Sequence, residues 1–170
     1  QAALAKLLDQ LLSTHAVGKP ILWFYTPMMF RFAAHVDAAA VVYDCMDELS
    51  SFRFAPPELR LNEEALLRRA DVVFTGGHSI YQAKRDRHRN IHPFPSSVDT
   101  AHFATARAGA LTPADQRHIA GPILGYYGVI DERIDLKLIA DLAAAQPQWS
   151  VVMIGPLAKL DESDLPSLDK

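Results

Sequence analysis

Six short apolar runs, each separated from the next by turn residues and helix-patterned stretches, constrain this chain more than any other feature. They are "ILWFY" at 21–25, "AVVYD" at 40–44, "DVVFT" at 71–75, the weaker "NIHPF" at 90–94, "ILGYYG" at 123–128 and "SVVMIG" at 150–155. The main runs are continuously apolar rather than alternating, the pattern of strands covered on both faces. Strand–helix–strand order with such strands implies parallel α/β sheets of Rossmann-like type, joined by right-handed crossovers.

The segments between the runs carry helical spacing. "LAKLLDQLL" sets Leu4, Leu7, Leu8, Leu11 and Leu12 on one helical face, and Gly18 and Pro20 then break the pattern. "PPELRLNEEALLRRA" at 56–70 reads as a helix with proline in its first turn, and "HSIYQAKRDR" at 78–87 as a short helix after the Gly76–Gly77 turn. Between Ser96 and Gly121 the composition turns polar and alanine-rich, without strand signals. Within it "TPADQRHI" suggests a helix with Thr112 as N-cap and Pro113 at the first helical position. Residues 1–98 are therefore expected to form one sheet-based unit, 99–120 a connection, and 121–170 a second unit with a helix over 133–145. Two parallel strands and one helix do not bury a core by themselves. The second unit is thus expected to be truncated here or to lean on the first, and truncation is the preferred explanation.

Composition narrows the function classes. Of 170 residues, 49% are hydrophobic and 22% charged, a packed globular profile. The net charge of −3 offers no electrostatic case for nucleic acid or an anionic membrane. The single cysteine, Cys45, excludes an internal disulfide and fits a reducing compartment. No apolar run approaches the roughly 18 residues that a membrane span requires.

Candidate chemistry gathers at the ends of strands. In "GYYGVIDERIDLKLI", Gly128 ends a strand and a helix is expected to begin near Glu132, with Arg133 in its first turn. A glycine loop leading to a helix N-terminus can approach a phosphate, and an arginine there adds a charge-assisted bond. An ordinary strand-to-helix turn with a solvated arginine has the same spacing. The loop is not the G-x-G-x-x-G dinucleotide fingerprint. "MIGPLAK" ends the next strand in the same way, so Gly155 and Pro156 would join Gly128 on one rim if the strands pair. Asp44 and Asp47, at and just past a strand's carboxyl end, suit catalysis or hydroxyl recognition, or else helix capping. No metal site is expected there, since Glu48 is the only further ligand nearby. His88 and His92 have zinc-like spacing, but Asn90 and Pro93 oppose the helix such a site needs. "KRDRHR" at 84–89 reads as a solvated mixed-charge face, and Cys45 as a buried, inert thiol.

Taken together, "VVYDCMDELSSF", "EEALLRRADVVFTGGHSIYQAK", "SSVDTAHF" and "ILGYYGVIDERIDLKLIADLAAAQPQWSVVMIGP" resemble the middle of a bacterial GT-B glycosyltransferase. The similarity is to group 1, family-four-like enzymes of cell-surface polysaccharide synthesis, and it extends over nearly the whole chain. It implies parts of two GT-B domains. Residues 1–98 would be the later half of the acceptor-side domain, and 121–170 the start of the donor-binding one. A sugar would pass from a nucleotide-diphosphate donor to a glycan or lipid-linked acceptor.

By this resemblance Gly128, Val129, Arg133, Gly155 and Pro156 approach the donor phosphates, and Asp47 and Asp44 face the cleft as catalytic candidates. Many relatives carry arginine where this chain has Val129, and N-G-V-D where it has Ser96-Ser97-Val98-Asp99. The family's glutamate pair for the donor would lie beyond Lys170. Neither cofactor nor metal is expected. The implied location is cytoplasmic, with peripheral association at the inner membrane face open to the full-length protein. A nucleotide-sugar epimerase of the same fold and a non-catalytic α/β binding module are the alternatives.

Overall fold

A computed structural model describes residues 2–15, 18–109, 111–161, 163 and 165. The chain divides into two compact units, Gln1–Val98 and Asp99–Lys170. Both are mixed α/β with parallel sheets of the Rossmann-like kind.

In the first unit the elements run α1 (Ala2–His15), β1 (Ile21–Phe24), α2 (Phe30–Ala33), β2 (Ala40–Cys45), α3 (Glu58–Arg69), β3 (Val72–Thr75), α4 (His78–Lys84) and β4 (Ile91–Pro93). The four strands pair in chain order, and every pair is parallel. Their register aligns Phe24, Tyr43, Val73 and Ile91 in one row across the sheet. That row lies in the core, with Phe30 and Ala33 of α2 and Leu66 and Leu67 of α3 packed among it. Successive neighbours added in one direction through right-handed crossovers carry their helices on the same side of the sheet.

The expectation of strands covered on both faces holds for the central β2, where Val41, Val42 and Tyr43 are all buried, but not for its neighbours. The opposite face holds Trp23, 51% exposed and stacked on Phe74 with ring centroids 5.9 Å apart. Phe74 in turn meets Phe94, itself 73% exposed, at 5.6 Å. The apolar runs specify strands correctly, but the helices of residues 1–98 bury the other side. The leucine face of α1 is likewise only partly used. Leu8 packs on the core, whereas Leu4, Leu7 and Leu11 are exposed.

In the second unit α5 (Thr100–Ala104) is followed by two single 3-10 turns, Thr105–Ala108 and Ala114–Gln116. α5, absent from the sequence reading, starts where the Asp99 carboxylate accepts the His102 N–H at 3.0 Å. The expected 112–119 helix reduces to the second of those turns, with Pro113 rather than Thr112 preceding it. Then come β5 (Ile123–Tyr127), α6 (Leu136–Ala145) and β6 (Ser150–Ile154). β5 and β6 pair in parallel from Ile123–Ser150 to Tyr127–Ile154. Every residue of β5 is exposed and α6 buries none, as expected of so few layers. Ile130 and Asp131, in the loop after β5, are buried.

Candidate functional site

Strands of parallel sheets present their carboxyl ends to ligands, so the loops after β5 and β6 come first. The ladder does not stop with the strands. Gly128 N–H donates to the Ile154 carbonyl at 2.9 Å, and Ile130 N–H to the Pro156 carbonyl at 2.9 Å. A bridge between Ile130 and Leu157 continues the pairing. The structure thus brings Gly128, Val129, Gly155 and Pro156 onto one rim. Gly155, at φ +154°, lies so close to its neighbour that a Cβ there would fall 1.7 Å from the Gly128 carbonyl oxygen. No side chain fits between the two loops. The Tyr126 hydroxyl donates to the Val129 carbonyl at 2.9 Å and braces the same turn.

Arg133 is placed differently from the sequence reading. The helix begins at Leu136, not near Glu132, so Arg133 precedes the helix instead of standing in its first turn. The cause is local. The Asp131 carboxylate accepts the Arg133 N–H at 3.1 Å, and the Ile134 N–H donates to the Asp131 carbonyl, which folds 131–134 into a turn. Asp135 then caps α6, accepting the Leu138 N–H at 2.9 Å, while the Leu136 N–H donates to the Ile134 carbonyl. Two N–H groups expected to face a phosphate therefore already have partners.

The Arg133 side chain lies on Asp131 in a bidentate pair, with Nε 2.9 Å and Nη2 2.7 Å from its oxygens. Those hydrogen bonds hold the Asp131 carboxyl below its ordinary range and raise the guanidinium's affinity for its proton. Beside them Lys159 Nζ lies 3.0 Å from Glu132 Oε1, and this bond lowers the Glu132 pKa. Sequence reading missed Lys159 and both acidic partners. The one available signal was that charged residues follow each of the two glycine-ended strands.

Asp44 and Asp47 belong to the first unit. Asp44 sits within β2, and its Oδ2 accepts the Trp23 indole N–H at 3.3 Å, on the aromatic sheet face. Asp47 is exposed in the loop after β2 and caps no helix; its backbone carbonyl accepts the Cys45 thiol at 3.5 Å. That loop is clamped from the β3 side, where Gly76 N–H donates to the Cys45 carbonyl at 3.0 Å.

Behind the loop lies a buried ionic cluster that also corrects the sequence reading. Lys84, expected on a solvated face, is 1% exposed, with Nζ 2.8 Å from both Glu48 Oε2 and Glu63 Oε1. The Tyr43 hydroxyl donates to Glu63 Oε1 at 2.8 Å, and Arg87 approaches Glu63 Oε2 at 3.4 Å. Burial opposes the charge on Lys84, but its bonds to Glu48 and Glu63 prevail and raise its pKa. Burial likewise opposes ionisation of Glu48, yet Lys84 and Ser50 hold its carboxyl low. Burial, with the neighbouring Cys45 and Glu63, pushes the Tyr43 hydroxyl far above its usual range, and burial pushes the Cys45 thiol up to about 11. Helical spacing carried a signal here: Glu63 falls on the stripe of Leu59, Leu66 and Leu67, and Lys84 on that of Ile80 and Tyr81.

The two histidines go their separate ways. His88 bonds the Ala70 and Asn90 carbonyls, and His92 the Asn90 side chain. Among the described residues no group of three His, Cys, Asp or Glu side chains could hold a metal ion. Among them, too, no helix is long and apolar enough to cross a membrane.

Fold and rim together define a Rossmann-like parallel α/β protein with a paired glycine rim at the carboxyl ends of β5 and β6. No protein-family model matches the chain. It is similar to "Putative teichuronic acid biosynthesis glycosyltransferase TuaH" of Bacillus subtilis (strain 168), at 24% identity over 173 residues. The match takes in 90% of this chain and 42% of that protein, so the chain spans less than half of its relative's length.

Proposed function

We propose that the chain is part of a glycosyltransferase of GT-B, group 1 type. In this reading it moves a sugar from a nucleotide-diphosphate donor to a glycan or lipid-linked acceptor in surface-polysaccharide synthesis. Residues 121–170 contribute to the donor domain, residues 1–98 to the acceptor domain, and 99–120 connect them. The observation that carries the reading is the rim where Gly155 presses on Gly128 at the ends of two parallel strands, with Arg133 in the same loop. The similarity to TuaH supports the same class.

The donor diphosphate would lie over Gly128, Val129, Gly155 and Pro156, where the two glycines admit a close backbone approach. Arg133 would stabilise the charge that develops on the leaving diphosphate. Because Asp131 already orients its guanidinium, little side-chain entropy is left to lose on binding. Asp47 is the exposed carboxylate of the pair, and in this reading it takes the proton of the acceptor hydroxyl. Asp44, engaged by Trp23, ranks behind it. Neither metal nor cofactor is required by this scheme, in which fixed cations and dipoles meet the leaving-group charge.

Calorimetric titration of the full-length protein with UDP, GDP and ADP tests the reading. At least one nucleotide is expected to bind, and Arg133→Ala to weaken it about tenfold or more, the value of one lost charge-assisted contact. Thermal melts of the variant separate lost binding from lost folding, since the substitution also strips Asp131 of its partner. Absence of binding by all three nucleotides, or unchanged affinity in a folded variant, would falsify the assignment and favour a non-catalytic module.

A further inference from the structure

Lys84 meets two carboxylates where one would balance its charge. Glu63 meets that need with both oxygens, at 2.8 and 3.0 Å from Nζ. Arg87 has Glu64 at 2.8 Å as a partner of its own, so four of the charges already sum to zero. Glu48 Oε2, at 2.8 Å, is the addition. Glu48 belongs to no helix of the core; it is half-buried in the loop after β2, directly beside Asp47. A further carboxylate brought to a buried lysine carries a desolvation cost that the cluster itself does not require. What the bond secures is the loop.

That loop is fixed on both sides of one residue. Before Asp47, the Gly76 N–H donates to the Cys45 carbonyl at 3.0 Å, and Gly76 lies against the Met46 backbone too closely for any side chain. The Cys45 thiol donates to the Asp47 carbonyl at 3.5 Å. After Asp47, Glu48 is held at three atoms. Lys84 takes Oε2, the Ser50 hydroxyl donates to Oε1 at 2.9 Å, and the Ser51 N–H donates to the Glu48 carbonyl at 2.9 Å. The Asp47 carboxylate takes part in none of these bonds, and the residue is exposed. An uncommitted carboxylate on a backbone pinned at either side is the arrangement that pre-organises a reacting group.

We propose that Glu48, anchored by Lys84, is the positioning residue of Asp47 and holds its carboxylate where an acceptor hydroxyl gives up its proton. This rests on the reading above, in which Asp47 takes that proton, and adds the pair that acts through it. Glu48 touches no substrate in this scheme, because both of its oxygens are already bonded.

The test is nucleotide release by the full-length protein from UDP-glucose, UDP-N-acetylglucosamine and GDP-mannose, with water in place of the acceptor. The anomeric carbon loses its bond to the diphosphate oxygen and gains one to water. The electron pair of the broken bond leaves with the diphosphate, and the water proton passes to Asp47. Asp47→Asn is expected to lower kcat about 100-fold. Glu48→Gln, which leaves Lys84 to Glu63, is expected to lower kcat about tenfold with KM unchanged. In an Asp47→Asn background it is expected to have no further effect, whereas lost support of the fold would act in both backgrounds alike. An unchanged kcat in Glu48→Gln, or an equal fall in both backgrounds, overturns the proposal and leaves Asp47 its role. Should Glu48→Gln not fold, Ser50→Ala, which frees the other Glu48 oxygen, decides. A smaller fall that vanishes in the Asp47→Asn background supports the proposal, and an unchanged rate overturns it. Full turnover by Asp47→Asn removes the Asp47 assignment and this inference with it. Wild type that releases nucleotide from none of the three sugars withdraws the transferase reading on which both stand.

Discussion

Gly76 and Gly77 follow one another after β3, yet they answer different demands. A Cβ on Gly76 would fall 2.6 Å from the Met46 carbonyl oxygen, backbone against backbone, while one on Gly77 would meet nothing within 4 Å. Gly77 is also extended, at φ −171°, where any residue is at ease. Gly76→Ala is therefore expected to cost about 1–3 kcal/mol, the usual range for overpacking, and to displace the turn that carries Asp47. Gly77→Ala should stay within about 0.5 kcal/mol of wild type. Urea denaturation of the two variants checks this, and equal costs would refute the close-approach account. The same logic makes Gly155 the most constrained glycine of the second unit, because its neighbour is the Gly128 backbone itself.

At the scale of elements, the start of α6 is decided by competition between two acidic residues. Asp131 captures the Arg133 N–H and guanidinium, and so removes residues 131–134 from the helix. Asp135 then provides the cap that a helix start needs, accepting the Leu138 N–H. Asp135→Ala should lower stability by about 1 kcal/mol, the typical loss for an N-cap, with fraying confined to the first turn of α6. Amide hydrogen exchange across α6 is the direct readout, and unchanged protection at Leu138 would contradict the assigned cap. Helix spacing alone did not separate these two starts, because both aspartates precede the same apolar stripe.

At the scale of the molecule, the first unit is tied together by one buried charge cluster as well as by its apolar core. Lys84 of α4 meets Glu63 of α3 and Glu48 from the loop after β2, and Tyr43 of β2 joins through Glu63. Replacing Lys84 by methionine leaves a 5%-exposed Glu63 carboxylate without its closest cation, so a loss of about 3–5 kcal/mol is expected. The pH dependence has a definite sign on each side. Glu48, whose folded pKa lies below its ordinary 4.5, contributes stability above that value and loses it as pH falls through the depressed one. Lys84, raised above its ordinary 10.5, contributes stability below that value and loses it as pH rises through the raised one. Cys45 and Tyr43, raised above their ordinary 9.0 and 10.0, also lose stability as pH rises through that range, so denaturation midpoints should fall at pH below the acidic limit and begin to fall near the ordinary Cys45 value on the alkaline side. Lys84→Met should reduce the alkaline limb by the Lys84 share; an unaltered limb would show that Lys84 does not contribute to it.

What the sequence by itself determined was the parallel α/β character, since apolar runs of strand length alternating with helical stripes admit few other arrangements. It also marked Gly128 and Gly155 as strand ends, because glycine interrupts an apolar run wherever it stands. Only the tertiary structure decided that Gly155 touches Gly128, that Arg133 rests on Asp131 ahead of the helix, and that Lys159 meets Glu132 across 27 positions of chain. It alone placed Lys84 inside, where a basic run had read as a solvated face, and left Trp23 outside, where an apolar run had read as covered. The physical reason is common to all of these. Periodicity reports which face of an element is apolar, but the partner that covers a face, or neutralises a charge on it, is set by strand order and by residues distant in sequence.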